Sequence, residues 1–478
     1  MLFNSLSYLY FLPIVFILYW SVNNKSLKLQ NIILLIASYY FYACWDWRFL
    51  FLLVFSTGLD YFTGLKMHHA QNKSLKKFWF WLSIIINLGF LGVFKYYNFF
   101  IQSFEDLLSG FGVQSHFWTL QIILPVGISF YTFHGLSYVI DIYNDRIKPE
   151  KDIVDYSLFV SFFPLLVAGP IERATHLLPQ IKKKRYFDYH QAMDGFYQIL
   201  WGLFKKIVIA DTCAVYANAI FDNHENMNSL TLVIGAIYFS FQIYGDFSGY
   251  SDIALGTSKL LGINLLRNFN FPYFSRDIAE FWRRWHISLS SWFRDYLYIP
   301  LGGSKGGLQS KIRNTFIIFL VSGFWHGANW TFILWGLLNA IYFLPLLLTN
   351  KNRAHIDIVA KGKLWPTVSE FVSITLTFCL TTLAWIFFRS ATVGQAFSYI
   401  KNIFSFNFNG GIQYLSIDRY SVELILLLLV FLVFEWFSRE HEHPFFGKGK
   451  NFWALFVISM IIALGTYSEF SEFIYFQF

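Results

Sequence analysis

Long apolar stretches alternate with short polar segments along the whole chain. An α-helix needs about 20 apolar residues to cross the roughly 30 Å of hydrocarbon in a bilayer. Stretches close to or above that length lie near 5–22, 30–46, 48–64, 78–98, 119–140, 192–222, 229–262, 314–348, 369–388, 421–438 and 451–468. The run at 314–348 is long enough for a bent pair of helices. The pattern therefore predicts an all-α, polytopic membrane protein with roughly 10–12 transmembrane helices.

Several of these apolar stretches are interrupted by glycine, proline and ionisable residues. The interruptions are residues 124–127 (LPVG), 168–173 (AGPIER) and 244–252 (YGDFSGYSD). Irregular backbone at membrane depth survives only where it is buried in protein or lines a water-filled cavity. Asp246 and Asp252 are too polar to face lipid. We therefore expect the helices to surround a hollow core, with both aspartates pointing into it.

The composition supports the same class of protein. Hydrophobic residues make up 56% of the 478 residues and charged residues only 14%, whereas an average soluble protein is about 25% charged. The net charge of +8 does not indicate nucleic-acid binding, because the basic residues lie in short clusters between apolar spans, as at 66–77 and 182–185. Such clusters are typical of cytoplasmic loops. The first apolar stretch has no basic segment before it and no small-residue cleavage site, so we expect a retained span.

Two histidines stand out because each lies next to tryptophan. His286 follows Trp285, and His326 lies within the apolar run that contains FWHGANW. An ionisable residue inside a membrane segment is a functional-site hypothesis by default. Because burial disfavours the charged imidazolium, we expect the ring of His326 to be neutral and able to act as a general base in acyl transfer. Gly323 and Gly327 are expected to open room for a substrate beside this ring; the alternative is a core histidine that only bridges helices.

The segment 278–293 is predicted to be one unbroken helix. His286 would then share a face with Trp282, Leu289 and Phe293. Its arginines cannot be solvated by lipid, so we expect a re-entrant or interfacial helix with the arginines near phosphates or acids. Pro300 and the glycines after it end the helix. The alternative is an amphipathic helix that packs at the interface and does nothing more.

Other short motifs do not indicate a site. GGSKGG at 302–307 lacks the spacing of a phosphate loop and is predicted to be a turn. GDFSG at 245–249 is not the G-x-S-x-G nucleophile elbow. The weaker histidine candidates are His68, His69, His134, His441 and His443. His134 could line the cavity but stands alone, the three cysteines are widely separated, and no metal site is predicted.

Five blocks of the chain, in this order, resemble the membrane-bound O-acyltransferase (MBOAT) family. The blocks are LPVGISFYTFHGLSYVIDIY at 124–143, SFFPLLVAGPIER at 161–173, YGDFSGYSDIALGTSKLLGINL at 244–265, EFWRRWHISLSSWFRDYLYIPLGGS at 280–304 and FWHGANWTFILWG at 324–336. Within the family, the chain is most similar to the bacterial membrane subunits of alginate and other polysaccharide O-acetyltransferases.

The resemblance implies a single membrane domain over 1–478, with a central tunnel from a cytosolic donor side to an outer acceptor side and a catalytic block at 276–336. The invariant histidine of the family, in its W-H-G block, corresponds to His326, and its second polar position corresponds to His286. These two are the predicted catalytic residues. The predicted substrate-binding or tunnel-lining residues are Trp282, Arg283, Trp285, Asp246, Tyr244, Ser322, Trp325 and Asn329.

The resemblance also implies the reaction. The expected donor is cytosolic acetyl-CoA, with no bound cofactor. The expected acceptor is an extracytoplasmic polysaccharide or a partner acyl carrier protein, in O-acetylation of the alginate, exopolysaccharide or peptidoglycan type, and a separate periplasmic or extracellular SGNH-type acetyltransferase is the expected partner. The expected location is the bacterial inner membrane. One alternative is D-alanyl transfer to teichoic acid from an acyl carrier protein. The alternatives from other classes are a transporter or flippase for a polysaccharide precursor and a non-catalytic membrane scaffold.

Overall fold

The computed structural model describes residues 1–22, 26–113, 117, 119, 124–166, 169–413, 423–467 and 473–474, and their regular secondary structure is helical throughout. The α-helices are α1 Leu6–Ser21, α2 Leu27–Ala43, α3 Trp47–His68, α4 Lys73–Leu91, α5 Tyr97–Gly110, α6 Ile128–Tyr143, α7 Ile153–Ser161, α8 Phe163–Leu166, α9 Ala174–Ile181, α10 Tyr189–Leu203, α11 Asp211–Asp222, α12 Ser229–Leu260, α13 Ile278–Arg284, α14 Ile287–Phe293, α15 Gly307–His326, α16 Trp330–Leu348, α17 Val368–Arg389, α18 Val393–Ile403, α19 Glu423–Ser438 and α20 Lys450–Leu464. Three π-helical segments, Gly92–Tyr96, Phe204–Ala210 and Arg294–Tyr298, continue α4, α10 and α14, and short 3₁₀ turns lie at His224–Asn226 and Pro272–Phe274. The all-α prediction is confirmed.

Helices long and apolar enough to cross a membrane are present, as predicted. Within the described part of the chain, five meet that criterion: α3, the continuous helix 73–110, α12, α16 and α17, and the shorter α1 and α20 are also apolar. The predicted bent pair at 314–348 is α15 and α16, separated by three residues. Of the stretch predicted at 119–140, residues 120–123 lie outside the described residues and a helix begins at Ile128. The total of ten to twelve crossings stays a prediction.

The chain divides into two compact units. The first comprises Met1–Gly195 and Thr257–Leu266, and the second comprises Phe196–Gly256 and Arg267–Phe478. The predicted catalytic block lies within the second unit. That the whole chain is one membrane domain around a central tunnel stays a prediction.

Buried polar side chains of the first unit are paired across helices. Asp60 of α3 accepts hydrogen bonds from Ser83 (2.6 Å) and Asn87 (2.8 Å) of α4. The Nε2 atom of His134, on α6, accepts the backbone N–H of Glu172 at 3.1 Å. These bonds satisfy polar groups that hydrocarbon could not solvate. His134 therefore joins α6 to the segment that precedes α9.

Buried ion pairs hold the second unit together beside the π-helical segment between α10 and α11. The ammonium of Lys206 lies 2.7 Å from Asp211 and 2.8 Å from Asp246 of α12. The neighbouring Lys205 lies 2.5 Å from Asp252, which follows Asp246 further along α12. Removing one partner of such a pair leaves an uncompensated buried charge. The two aspartates thus lie inside the protein rather than facing lipid, and each neutralises a lysine there. That they line a hollow core stays a prediction.

The expectation that Gly323 and Gly327 open room for a substrate is wrong. A Cβ atom on Gly323 would lie closer than 3.0 Å to the carbonyl oxygen of Phe332, and one on Gly327 would overlap the Phe332 ring. A Cβ on Gly336 would lie equally close to the carbonyl oxygen of Phe319. The missing side chains instead allow the backbones of α15 and α16 to approach closely, as small residues commonly do in membrane helices.

The close crossing of α15 and α16 yields a stability prediction. Gly336→Ala places a methyl group against backbone atoms that cannot rotate away, so we expect a loss of about 1–3 kcal/mol. The midpoint of thermal unfolding of the purified protein in detergent should fall. Gly89→Ala is the matched control, because this exposed helical glycine has no heavy atom within 4 Å of the added Cβ. Equal midpoints for the two variants would show that the crossing tolerates a side chain.

Candidate active site

The helix predicted over 278–293 is interrupted at its centre. Trp285 is extended, and His286 has φ 44° and ψ 54°, a left-handed conformation, so that α13 ends at Arg284 and α14 begins at Ile287. The prediction of an unbroken helix is therefore wrong. A left-handed residue with a side chain is costly, and it persists only where the surrounding structure supports it.

Residues 268–270 supply that support. The carbonyl oxygen of Asn268 accepts the N–H of Ile287 at 2.9 Å, and its Oδ1 accepts the hydroxyl of Ser288 at 2.5 Å. The N–H of Asn270 donates to the carbonyl oxygen of Arg284 at 3.0 Å. Backbone groups that would form hydrogen bonds within an unbroken helix thus form them with the segment 268–270 instead. As a result His286 does not share a helix face with Trp282.

His286 lies in an aromatic environment and is 1% exposed. Its ring meets Phe247 of α12 edge to face at 4.7 Å between centroids, and Trp325 of α15 at 6.1 Å. Neither ring nitrogen has a hydrogen-bond partner among the residues that the structure describes. A buried polar side chain usually has such a partner, and one without it calls for an explanation. A substrate hydroxyl or carbonyl group is one explanation.

His326 is the last residue of α15 and lies in the same aromatic cluster. Its ring centroid is 4.9 Å from Trp325, 5.0 Å from Trp335 and 5.4 Å from Phe388. Trp325 therefore contacts the ring of His286, at the break between α13 and α14, and the ring of His326, the next residue of α15. The two predicted catalytic residues, which are far apart in sequence, therefore share one aromatic neighbour.

Three further tryptophans extend the cluster. Trp335 stacks on Trp385 of α17 at 5.5 Å, and Trp385 lies 5.0 Å from Trp285. Sequence reasoning named Trp285 and Trp325 but missed Trp335, Trp385, Phe388 and Phe247. The spacing of Trp385 and Phe388, three residues apart on one helix, places both on one face, yet nothing in the sequence distinguishes that face from one that contacts lipid.

The arginines of this region bind acids and carbonyl oxygens. Glu280, which is buried, accepts from Arg276 at 3.0 Å and from Arg284 at 2.7 Å, as expected for arginines that need an acid. Arg283 differs, since its guanidinium donates to the carbonyl oxygens of Asn352 (2.8 Å) and His355 (2.6 Å). Arg283 thus fastens the loop that follows α16 to α13.

The same loop carries Asp357, which forms an ion pair with Arg276, two residues before α13. Asp357 lies 2.8 Å from Arg276, and the hydrogen bond from this guanidinium lowers the pKa of the carboxyl. The pair therefore stays charged at neutral pH. It adds a second attachment of the loop to the predicted catalytic block.

The remaining predicted site residues have identifiable structural contacts. Tyr244 donates to the buried carboxylate of Glu435 and lies 6.1 Å from the Trp285 ring, so it borders the cluster. Asn329 caps α16 by accepting the N–H of Thr331. The indole N–H of Trp282 donates to Asn339 at 3.3 Å, and the carboxylate of Asp246 accepts the N–H of Ile474 at 2.6 Å. Ser322 is buried one turn before His326.

The support given by Asn268 yields a second prediction. Asn268→Ala leaves the hydroxyl of Ser288 without this acceptor, and we expect a stability loss of about 1–3 kcal/mol together with a loss of activity, because His286 is held by the same contacts. Ser288→Ala removes the hydroxyl but leaves Asn268 Oδ1 the backbone N–H of residue 288, at 3.4 Å, and should cost less. Thermal unfolding and acyl-transfer rates measured on both variants test this. If Asn268→Ala lowered neither quantity, the break would not depend on this side chain.

Comparison with known proteins places the chain in a family. Residues 149–388 match the sequence model of MBOAT, the membrane-bound O-acyltransferase family. The chain is 37% identical over 436 residues to a peptidoglycan O-acetyltransferase of Helicobacter pylori, covering 85% of this chain and 80% of that protein. It is 36% identical over 444 residues to a probable alginate O-acetylase, AlgI, of Pseudomonas aeruginosa, covering 92% and 81%. It is 28% identical over 242 residues to a teichoic acid D-alanyltransferase of Bacillus subtilis, covering 48% and 60%. The chain therefore belongs to the membrane-bound O-acyltransferase family and is an acyltransferase.

Proposed function

We propose that this acyltransferase is an O-acetyltransferase that moves an acetyl group from cytosolic acetyl-CoA across the membrane to an extracytoplasmic polysaccharide. The observation that carries the proposal is the pair of buried histidines, His286 and His326, whose rings both contact Trp325. Two imidazoles in one cluster of aromatic rings supply a base and a second polar group for a single acyl transfer. The peptidoglycan and alginate relatives each match more than four fifths of this chain, and both are named for O-acetylation.

The proposed step is attack of an acceptor hydroxyl on the thioester carbonyl. His326 takes the proton of the hydroxyl, a new O–C bond forms, the C–S bond breaks, and the departing CoA thiolate receives the proton from the imidazolium. The surrounding rings of Trp325, Trp335 and Phe388 keep the thioester away from water, which would otherwise hydrolyse it.

The positions of the two histidines on their helices support different roles. His326 ends α15, and the partial negative charge at a helix C-terminus stabilises an imidazolium by about 0.3–1 kcal/mol at exposed sites and more when buried. His286 directly precedes α14, where the partial charge is positive and a protonated ring is disfavoured. We therefore assign the base to His326, and to a neutral His286 the orientation of the acetyl or hydroxyl group.

The names of two relatives support the proposed acceptor. One acts on peptidoglycan and another on alginate, by their names, so the acceptor proposed here is a cell-wall or exported polysaccharide. A periplasmic or extracellular transferase of the SGNH type would complete delivery to the polymer. The protein would then reside in the bacterial inner membrane, with the donor entering from the cytosol.

The first test is a substitution of the proposed base. Purified protein reconstituted in liposomes with radiolabelled acetyl-CoA should transfer or release labelled acetyl, and His326→Gln should reduce this rate at least about 100-fold, since general base catalysis contributes about 10²–10⁴. His286→Ala should cause a smaller loss. His441→Ala, a substitution of an exposed histidine in the loop after α19, is the matched control and should retain the wild-type rate. A folded His326→Gln protein with unchanged turnover would remove the assignment.

The second test concerns the donor. The same liposomes should accept label from acetyl-CoA and not from a D-alanyl carrier protein, because the chain shares higher identity over more of its length with the O-acetyl relatives. Equal amounts of both donors, offered separately, give the comparison. Transfer of D-alanine but not of acetate would replace the proposed donor with the carrier protein while keeping the histidine assignment.

A further inference from the structure

A large apolar groove lies on the second unit, between α12, α17 and α19. It has a volume of about 640 Å³ and is lined by aliphatic and aromatic side chains of the three helices, with Tyr273, Phe274 and Trp365 at its edges. Phe371, Leu429 and Val433 line it and are each more than half exposed. In a membrane protein, exposed apolar side chains of long apolar helices border lipid hydrocarbon. The groove is therefore a recess in a surface that contacts lipid.

The few polar atoms on the groove wall are already bonded within the protein. The hydroxyl of Tyr273 donates to the carbonyl oxygen of Ser240 at 2.5 Å, and that of Thr375 donates to Phe371 in its own helix at 2.9 Å. The indole N–H of Trp436 donates to the carbonyl oxygen of Leu364 at 2.8 Å. A polar ligand would lose its hydration here without a replacement. The groove suits a hydrocarbon chain.

The length of the groove fits one leaflet of a bilayer. Its lining on α19 runs from Ile425 to Phe437, which is about 18 Å along a helix axis. Half of the hydrocarbon core of a bilayer is about 15 Å thick. One phospholipid acyl chain, lying along α19, would therefore occupy the groove from end to end.

One end of the groove carries the features of a membrane interface with positive charge. Trp365 lies there, 6.4 Å from the Phe437 ring and 65% exposed, and tryptophan is enriched at headgroup depth. Lys361 and Lys363 are exposed just before it. The loop 349–367 has four lysines and arginines against one acid, Asp357, which is paired with Arg276.

The nearby acidic groups do not cancel this charge. Glu440, in the loop after α19, is bonded to this segment, because its carboxylate accepts the N–H of Gly362, the residue between the two lysines, at 3.0 Å. Glu370 is bonded to the N–H and hydroxyl of Thr367 as a helix cap. Two lysines beside one carboxylate leave an excess positive charge, and each basic residue near a membrane surface attracts anionic lipid by about 1 kcal/mol.

We propose that this groove is a binding site for an anionic membrane phospholipid. One acyl chain lies between α17 and α19, and the headgroup phosphate lies beside Lys361 and Lys363 at the Trp365 end. The site is separate from the histidine cluster and does not depend on which acyl donor the protein uses.

Native mass spectrometry of the full-length protein tests the proposal. Protein delipidated in detergent is offered phosphatidylglycerol or phosphatidylcholine with identical acyl chains. The wild type should retain one phosphatidylglycerol in preference to phosphatidylcholine. Lys361→Gln with Lys363→Gln should lower this preference about fivefold for each lysine removed, while Lys183→Gln with Lys184→Gln, an exposed pair in another basic loop, should leave it unchanged.

A second pair of variants tests the groove itself. Thr375→Trp fills the groove and should abolish retention of both lipids, whereas Leu426→Trp, on an exposed face of α19 outside the lining, should behave as the wild type. Equal retention of the two lipids by the wild type, or an unchanged preference in the lysine variant, would overturn the anionic-lipid assignment. Undiminished retention in a folded Thr375→Trp protein would overturn the groove as the site. The exposed lysine pair keeps the test decisive if the tryptophan variant does not fold.

Discussion

The left-handed break at His286 is the constraint on which the candidate site depends. An unbroken helix over 278–293 would carry Trp285 and His286 to different sides of its axis and leave His286 aligned with Trp282. The break turns the chain so that Trp285 meets Trp385 while His286 meets Phe247 and Trp325. The backbone cost of this conformation is offset by hydrogen bonds from residues 268–270. Strain of this kind is found where surrounding structure over-determines it, often at functional sites.

The second constraint is the crossing of α15 and α16. Gly323 of α15 and Gly336 of α16 let the backbone of each helix approach a carbonyl oxygen of the other helix. This proximity sets Trp335 of α16 against His326 at the end of α15. A wider crossing would separate the two rings and admit water between them. The glycines therefore act on the site indirectly, by fixing the distance between the two helices that form it.

Hydropathy located the long helices well, because crossing a bilayer imposes a length and a composition that are visible in any single sequence. The run predicted at 369–388 is the helix Val368–Arg389, and the bent pair falls where expected. The break at His286 was not predictable in this way, since its support comes from Asn268, 20 residues before Ser288. Local helical periodicity cannot report such a partner.

Trp385 and Phe388 of the aromatic cluster were not predicted, again because a local pattern does not show what a side chain contacts. Trp385 and Phe388 are apolar residues in an apolar helix, and the pattern is the same whether they face lipid or a histidine. The two histidines were predictable because an ionisable ring is expensive in hydrocarbon, so its presence alone carries information. The glycines of α15 and α16 were informative as well, but they were expected to make room for a substrate. A glycine indicates that another group comes close to the backbone, and the sequence does not say which group. At Gly323 and Gly336 it is the backbone of the other helix.

The loop 349–367 is bonded to the predicted catalytic block and to the end of α19. On one side Arg276 and Arg283 bind Asp357 and the carbonyl oxygens of residues 352 and 355. On the other side Arg439, directly after α19, donates to the carbonyl oxygens of residues 359, 360 and 363.

A guanidinium has five donors in a fixed plane and can satisfy several carbonyl oxygens of an irregular segment at once, which a lysine cannot do in the same geometry. Long loops without regular structure are uncommon in compact folds unless such contacts order them. Arg283 of α13 and Arg439, directly after α19, therefore bind the same loop, and this loop ties the helix that ends just before the His286 break to a helix that lines the apolar groove.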